Sequence, residues 1–422
     1  GKYLTTNGSS PSWGAVIAGV TGSGTTDRVA KWSSSSAISD SKFIDDSNGN
    51  AFLAGSTAAS NHILFSGATK NIGSGTGNIG IGYNIYSTST TSAAVQNFAA
   101  GIDIMPSITT GYGNVGIGAG PLFSITTGRQ NVGIGFRAMY KKSGGDDAVA
   151  IGAQAGFEST TAERFVAIGR DALNTNTTTN ELTGIGYRAG MRSTGANGTF
   201  IGAYAGQGAV AGFTGTNNTG IGLNVMANAT TAEYNGAVGA QALYNLTQGN
   251  RNYAFGTSSM YSLNTGAENM AIGHSSLYAL TTGGANVAIG DISMYQATTN
   301  SSNNVSIGKG SLNSAYNFQH CTAIGYYAGA NIPNNITGGM FLGSLAGYGS
   351  TQSNCLYIDQ NSGFVSNHTP LISGKFGSKW AGINTLPENL NASFMVTSAG
   401  STSATKALNI INSSSSPLLN VL

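Results

Sequence analysis

Histidines and paired acidic residues are the side chains of this sequence that could do acid–base or metal chemistry. The chain has four histidines, at His62, His274, His320 and His368. Their separations fit no metal-ligand motif. The acidic pairs at 45–46 and 146–147 would point to opposite faces of a strand or into solvent from a loop. Carboxylates from distant repeats could form a glycosidase pair, but no residue pattern supports one. We therefore expect no enzyme, no metal site and no cofactor.

A column of tyrosines is the other candidate site. Tyrosine recurs at intervals of 17 residues, at Tyr244, Tyr261, Tyr278 and Tyr295. This spacing predicts a vertical stack of rings. Packing between successive repeats is the favoured interpretation. The alternative is an exposed stripe that contacts a glycan, because aromatic faces suit carbohydrate rings.

The composition argues against an ordinary globular domain. Of 422 residues 63 are Gly, and only 8% are charged, where a soluble domain has about 25%. A net charge of +2 is neither the basic footprint of a nucleic-acid-binding protein nor the acidic excess of a disordered tail. No apolar run approaches the roughly 18 residues of a membrane span, so we expect no membrane insertion. The apolar residues recur at fixed intervals, which indicates order.

A repeated motif, Asn-Val-Gly/Ala-Ile-Gly, runs through the chain. Its last residue, here called the repeat glycine, occurs in 16 copies with a mean spacing of about 17.4 residues, since 15 intervals cover 261 residues. The copies are Gly82, Gly101, Gly118, Gly135, Gly152, Gly169, Gly186, Gly202, Gly222, Gly239, Gly256, Gly273, Gly290, Gly308, Gly325 and Gly343. A fixed period of this length predicts an all-β fold, a parallel β-solenoid or β-roll with coils of about 17 residues.

Each position of the motif has a predicted role. Val and Ile lie three and one residues before the repeat glycine, and we expect them to form a β-branched core because they share a strand face. The residue between them is Gly, Ala or Ser in 14 of 16 copies. Small side chains there predict close approach of a neighbouring subunit, at a shared axis or an intersubunit wall.

A ladder of asparagines is predicted four residues before the repeat glycine. Stacked coils would place these amides about 4.8 Å apart, so that each can hydrogen-bond to the next. The ladder includes Asn114, Asn131, Asn252, Asn269 and Asn286. The two cysteines, Cys321 and Cys355, fall in the same column two coils apart, and this separation predicts free thiols.

The repeats divide the chain into three predicted parts. Residues 1–76 form an N-terminal β-rich connector or shaft, 77–359 the solenoid, and 360–422 a C-terminal β-rich shaft. The apolar ending at 417–422 suggests a chain that is truncated or processed there.

The repeats, as at 286–290, resemble those in the heads of trimeric autotransporter adhesins, which form left-handed parallel β-rolls as homotrimers. The coils are longer here, so strand lengths need not carry over. The flanking motifs at 1–4, 27–32 and 370–384 resemble bacteriophage tail-fibre proteins. Such fibres often carry a C-terminal chaperone that is cleaved away. The resemblance implies an intertwined homotrimeric fibre.

Three functions compete on this basis. The favoured one is a structural fibre of a virion tail, extracellular, which contacts other tail proteins and presents surfaces to a host glycan or protein receptor. The alternative is a trimeric adhesin on a bacterial surface. An ice-binding solenoid would need a regular Thr array, but Lys141, Lys142 and Ser143 fall at or near the repeat position of Thr126-Thr127 and interrupt the array.

Overall fold

The computed structural model describes residues 75–87, 93–313, 317–333, 335–360, 363–364 and 369–383, apart from the side chain of Trp380. Elsewhere it describes only the backbone of strands. The described residues form strands and turns, with one short 3₁₀ helix at Phe376–Ser378. None of their helices has the length and apolar character needed to cross a bilayer.

Six strands precede the described repeats. They are β1 (Lys2–Thr6), β2 (Pro11–Ala15), β3 (Arg28–Ser34), β4 (Ala37–Asp45), β5 (Ala51–Leu53) and β6 (Ile63–Ser66). The pair β1 and β2 is antiparallel, and β3, β4 and β5 form an antiparallel sheet. β6 pairs in parallel with the first repeat strand.

One strand from each repeat joins a long parallel sheet. These strands are β7 (Ile79–Tyr83), β8 (Phe98–Ile102), β9 (Val115–Ala119), β10 (Val132–Ile134), β11 (Val149–Ile151), β12 (Val166–Ile168), β13 (Thr183–Ile185), β14 (Thr199–Ile201), β15 (Thr219–Ile221), β16 (Gly236–Val238), β17 (Tyr253–Phe255), β18 (Met270–Ile272), β19 (Val287–Ile289), β20 (Val305–Ile307), β22 (Thr322–Ile324), β24 (Met340–Leu342) and β25 (Cys355–Ile358). Two short strands, β21 (Phe318–Gln319) and β23 (Ile336–Thr337), pair separately.

The register confirms a parallel β-solenoid of about 16 turns with coils of about 17 residues. Each residue pairs with its equivalent in the next coil, as Val132 does with Val149 and Val149 with Val166. The stack ends where β25 meets β26 (Ile372–Lys375) in antiparallel pairing. The final strands are β27 (Trp380–Ile383), β28 (Phe394–Val396), β29 (Leu408–Ile411) and β30 (Pro417–Val421).

The two faces of the repeat strands are reversed from the prediction. In β11, Ala150 is fully buried, whereas Val149 and Ile151 are half-buried. Ile272 and Ile324 are 39% and 42% exposed in the single chain. The Val and Ile columns therefore form the outer face of the solenoid. The small residues of the column between them face the coil interior, so the prediction of a β-branched core was wrong. The predicted contact of Gly116, Gly133, Ala150, Ala167, Ala254, Ala271 and Ala288 with a neighbouring subunit was also wrong.

The reason for the reversal is the narrow interior of the coil. In ten of the 16 coils the second apolar segment places a Leu or Met, four residues after the repeat glycine, against the small column. A Cβ added at Gly133 would lie 3.1 Å from Leu122 Cγ, and one at Gly184 would lie 2.8 Å from Leu173 Cγ. Large side chains from the opposite wall already fill the interior, so only small residues fit on the strand side.

The repeat glycine turns the chain out of the strand. Its φ is 131° at Gly273 and 134° at Gly290, a region that favours glycine. A Cβ at Gly273 would lie 2.4 Å from the Gly290 carbonyl oxygen in the next coil. Glycine is required here both by the dihedral angle and by the close approach of the next coil.

Candidate functional site

The asparagine side chains form a hydrogen-bonded ladder inside the coils. Asn252 Nδ2 donates to Asn235 Oδ1 at 3.1 Å and to the Gly266 carbonyl at 2.9 Å. The same Asn235 oxygen accepts the Asn252 backbone N–H at 2.9 Å. Each buried amide thus satisfies polar groups of its own and the neighbouring coil, which fixes the register between them.

The ladder occurs in two runs that contain all five of its predicted residues. The first comprises Asn78, Asn97, Asn114 and Asn131, and the second Asn218, Asn235, Asn252, Asn269, Asn286 and Asn304. Between them lie four coils, here called the ladder gap, whose residues at this position are Ala148, Phe165, Leu182 and Gly198. Polar side chains appear in another interior column of these coils.

That second column lies seven residues after the repeat glycine. It holds Ile or Leu in five of the ten ladder coils, as at Ile125 and Leu246. In and beside the ladder gap it holds four buried polar residues, Lys142, Ser159, Asn176 and Ser193. Sequence reasoning missed this exchange, although polar residues in a Leu column were its visible signal.

Two of these side chains take over the donor role of the missing asparagines. Lys142 Nζ donates to the Ala162 carbonyl at 2.5 Å. In the ladder coils, the carbonyl at this position of the coil accepts a hydrogen bond from an Asn Nδ2. Asn176 Nδ2 donates to the Thr179 carbonyl, which has the same position in its coil, at 3.0 Å. The exchange keeps these interior carbonyls paired where the ladder is interrupted.

Lys142 is fully buried beside Phe165, whose ring centre lies 5.4 Å from Nζ. Burial lowers the pKa of Lys142 from 10.5 to about 8, and the charges of Asp146 and Glu163 oppose this shift. The lysine therefore occupies a site that disfavours its charged form.

The two cysteines lie in the ladder column, where both are buried and neither forms a disulfide, as the spacing predicts. The strand register places Gly339 between them, with Cys321 in the preceding coil and Cys355 in the following one. The Cys321 backbone N–H donates to Asn304 Oδ1 at 2.9 Å, which continues the ladder. Desolvation raises the pKa of the Cys321 thiol. Both residues serve as small interior side chains.

The four tyrosines of the predicted column stack on one another. Ring centres of successive residues are 5.1 Å apart, and the planes of Tyr244 and Tyr261 are inclined by 2°. Because the faces of neighbouring rings cover each other, ring edges and hydroxyl groups are left for contacts from the side. The geometry favours packing between coils. Glycan contact by Tyr244, Tyr261, Tyr278 and Tyr295 stays a prediction.

A second aromatic stack occupies the equivalent positions of earlier coils, and sequence reasoning missed it. Phe123 and Tyr140 are 4.8 Å apart, and Tyr140 and Phe157 5.5 Å apart, with planes inclined by 11° and 9°. Cations accompany this stack. The Arg137 guanidinium lies 5.2 Å from the centre of the Tyr140 ring, and Lys141 Nζ lies 5.5 Å from that of Phe157.

Charge is concentrated in the same part of the solenoid. Residues 129–192 hold 14 of the 34 charged residues of the chain. Pairs between neighbouring coils include Lys141 with Glu158 at 2.6 Å and Arg164 with Glu181 at 3.3 Å. These pairs are exposed, so each contributes only about 0 to 1 kcal/mol to stability.

Among the described residues, one of the predicted histidines lies close to a carboxylate. His274 Nδ1 lies 3.2 Å from Asp291 Oδ1, and Lys309 Nζ lies 3.4 Å from the other carboxylate oxygen. All three are on the surface. No group of three metal-ligating side chains occurs among the described residues. His62, His368, Asp45 and Asp46 lie outside the residues whose side chains are described.

The threonines after each coil's second segment align differently from the expectation. Thr126 pairs with Ser143, and Lys142 belongs to the interior column. The Thr109 hydroxyl donates to the Thr126 carbonyl at 3.0 Å, and that of Thr126 to Ser143 at 2.8 Å. These hydroxyls hydrogen-bond along the stack, so they are engaged in joining coils.

The outer face forms an apolar strip along the stack. Its centre consists of the Val and Ile columns, including Ile117, Ile221, Ile272, Ile307 and Ile324. Charged residues lie at its margins, with Arg164, Glu181, Arg251 and Glu268 on one side and Arg170, His274, Asp291 and Lys309 on the other. An apolar centre with a polar rim is typical of a protein–protein interface.

Comparisons of the chain with protein-family models, with curated proteins and with solved structures return no match. The resemblance to phage fibres and to autotransporter heads therefore rests on the sequence motifs.

Proposed function

We propose that this chain is a structural fibre of a bacteriophage tail, assembled as a homotrimer. It would project a rigid solenoid, join other tail proteins, and present surfaces to a glycan or protein receptor of the host cell. No catalytic role, cofactor, nucleic-acid partner or membrane insertion belongs to this proposal. The flanking motifs support the phage assignment, and the outer face supports the assembly.

The outer face is the observation that carries the assembly. It is an apolar strip with charged residues along its margins, and burying apolar area stabilises an assembly by about 25 cal/mol per Å². Sixteen coils at about 4.8 Å extend on the order of 75 Å. A second copy of this solenoid has the same length and the same spacing of side chains, so identical chains can cover the strip coil by coil.

The assignment to a virion is tested by immunogold electron microscopy. Antibodies raised against residues 75–360 should label fibres at the tail end of virions released from the source culture. Label on the envelope of bacteria that release no virions would instead support the cell-surface adhesin. Label on neither structure would contradict both.

A further inference from the structure

A patch of rings and cations includes part of the stack formed by Phe123, Tyr140 and Phe157. It consists of Phe136, Arg137, Tyr140, Lys141 and Phe157, here called the cation–aromatic patch. The Arg137 guanidinium lies 5.0 Å from the Phe136 ring centre and 5.2 Å from that of Tyr140. Two rings therefore hold this guanidinium in place, which lowers the entropy that a ligand must remove.

Arg137 has no ion-pair partner among the residues that the structure describes. Arg188, which like Arg137 lies two residues after its repeat glycine, is 3.6 Å from the carboxylate of Asp171. The planar donors of a guanidinium match a carboxylate in a bidentate arrangement. An exposed, oriented and unpaired guanidinium is thus available to an external anion.

The surroundings of Arg137 leave room for a ligand. Phe136 is 50% exposed, and it lies next to the arginine. In the preceding coil the residue that corresponds to Arg137 is Gly120. A Cβ added there would lie 3.4 Å from the Tyr140 ring and 3.5 Å from Arg137 Cγ. Because this position is glycine, that flank of Tyr140 and Arg137 stays open.

The tyrosine stack at 244–295 provides a comparison within the same molecule. Its rings occupy the same position in the coil as Phe123, Tyr140 and Phe157. No cation lies over its rings among the described contacts. Stacked rings thus hold coils together in both places, and the cations are an additional feature of the stack that contains Tyr140.

We propose that the cation–aromatic patch binds an acidic oligosaccharide. A sugar carboxylate accepts hydrogen bonds from Arg137, Lys141 adds a second positive charge, and an apolar sugar face packs on the exposed Phe136 ring. Lys141 forms an ion pair with Glu158 at 2.6 Å, so Arg137 is the principal anion contact. This inference rests on the proposed function, since it names the ligand class of a receptor-binding fibre.

The test is a binding measurement on the purified full-length protein. The probes are galacturonic acid and sialic acid oligosaccharides, each compared with its methyl ester, which removes the charge and keeps the sugar. At least one acid should bind, and its ester should bind about 10- to 100-fold more weakly. Arg137→Met should produce a similar loss, and the binding should weaken at high salt.

Arg129→Met is the matched control. Arg129 also lies over a tyrosine, 5.3 Å from the Tyr112 ring centre, but outside the patch. This variant should bind as the wild type does. Equal binding of acid and ester, no acid bound, or an unchanged Arg137→Met protein would each overturn the proposal. Tighter binding of polyphosphate than of any saccharide would also overturn it. Immunogold labelling is independent of these results, so failure of one proposal is distinguishable from failure of the other.

Discussion

The interior asparagines and Lys142 are placed where a backbone carbonyl needs a donor. In ladder coils the donor is an asparagine, and in the ladder gap Lys142 and Asn176 supply it from another column. An unpaired buried carbonyl costs about 1 to 3 kcal/mol, enough to favour such a replacement. The identity of one interior residue therefore depends on that of another in a neighbouring coil.

This dependence can be measured by a double-mutant cycle at positions 142 and 148. Ala148→Asn would add an amide to the end of the first run, but Lys142 already occupies the Ala162 carbonyl. In a Lys142→Ile background that carbonyl is free. We expect Ala148→Asn to stabilise this background more than the wild type, by roughly 1 to 2 kcal/mol in chemical denaturation. Additive effects would show that the two columns are independent.

The buried lysine also predicts a pH dependence. Its pKa falls from 10.5 to about 8 on folding, so between these values the unfolded chain binds more protons than the folded one. The free energy of unfolding should therefore rise with pH across this window, by up to roughly 3 kcal/mol for this group. Burial raises the pKa of Tyr86, which acts in the opposite direction above about pH 10.

The measurement is the difference in unfolding free energy between the wild type and Lys142→Met from pH 7 to 10. Tyr86 is present in both proteins, so its contribution cancels. The wild type should gain stability relative to the variant as pH rises. A difference that stays constant would mean that Lys142 titrates alike in the folded and unfolded chain.

At the scale of the coil, the repeat glycine sets the distance between neighbouring turns. Gly273→Ala would combine a φ of 131° with a Cβ placed 2.4 Å from the Gly290 carbonyl oxygen. We expect a loss of about 2 kcal/mol or more in unfolding free energy. Gly144→Ala is the control, because its Cβ would meet only the Thr127 hydroxyl, at 3.5 Å. Equal losses in both variants would contradict this role.

The small interior column predicts a second effect within the coil. Ala271→Leu should overpack the interior and lower stability by about 1 to 3 kcal/mol. Since Ala271 is buried within its own coil, the loss should persist after dissociation of any assembly. Met270→Leu, on the outer face, should leave the isolated chain nearly unchanged. A loss for Ala271→Leu seen only in the assembled protein would instead place this residue at an interface.

Periodicity was sufficient to predict the coils, the ladder column and the tyrosine stack. It was not sufficient to distinguish inside from outside. Residues two apart share one face of a strand, but the sequence pattern is the same whether the small or the branched residues face the coil interior. The side chains of the opposite wall decide which of the two columns fits inside. Leu122 and Leu173 form that wall, and they belong to the preceding coil for Gly133 and Gly184.

The aromatic and charged positions could be predicted less well. The 17-residue recurrence of Tyr244 to Tyr295 is visible because one residue type repeats. The earlier stack mixes Phe123, Tyr140 and Phe157, so a search for one residue type does not find it. The cation contacts of Arg137 could not be predicted because the residue two positions after the repeat glycine varies between coils. The backbone there does not vary in the same way, since φ is 54° at Arg137, 58° at Gln154 and 57° at Asp171.

For the whole molecule, the apolar outer face determines the expected assembly. A charge at its centre should prevent chains from packing together, because an unpaired buried charge is costly. The test variant is Ile272→Glu combined with Ile307→Glu, both on the outer face. The control is Thr265→Glu, an exposed position in the turn. Circular dichroism should show β-structure in every variant, since the coil interior is unchanged.

Sedimentation equilibrium of these proteins is the most direct test of the assembly. The wild type and Thr265→Glu should each give a mass of three times the chain mass of 42.6 kDa, and Ile272→Glu/Ile307→Glu should give a smaller one. A stable wild-type monomer, or an unchanged trimer in the double variant, would contradict the proposal that three copies bury the outer face.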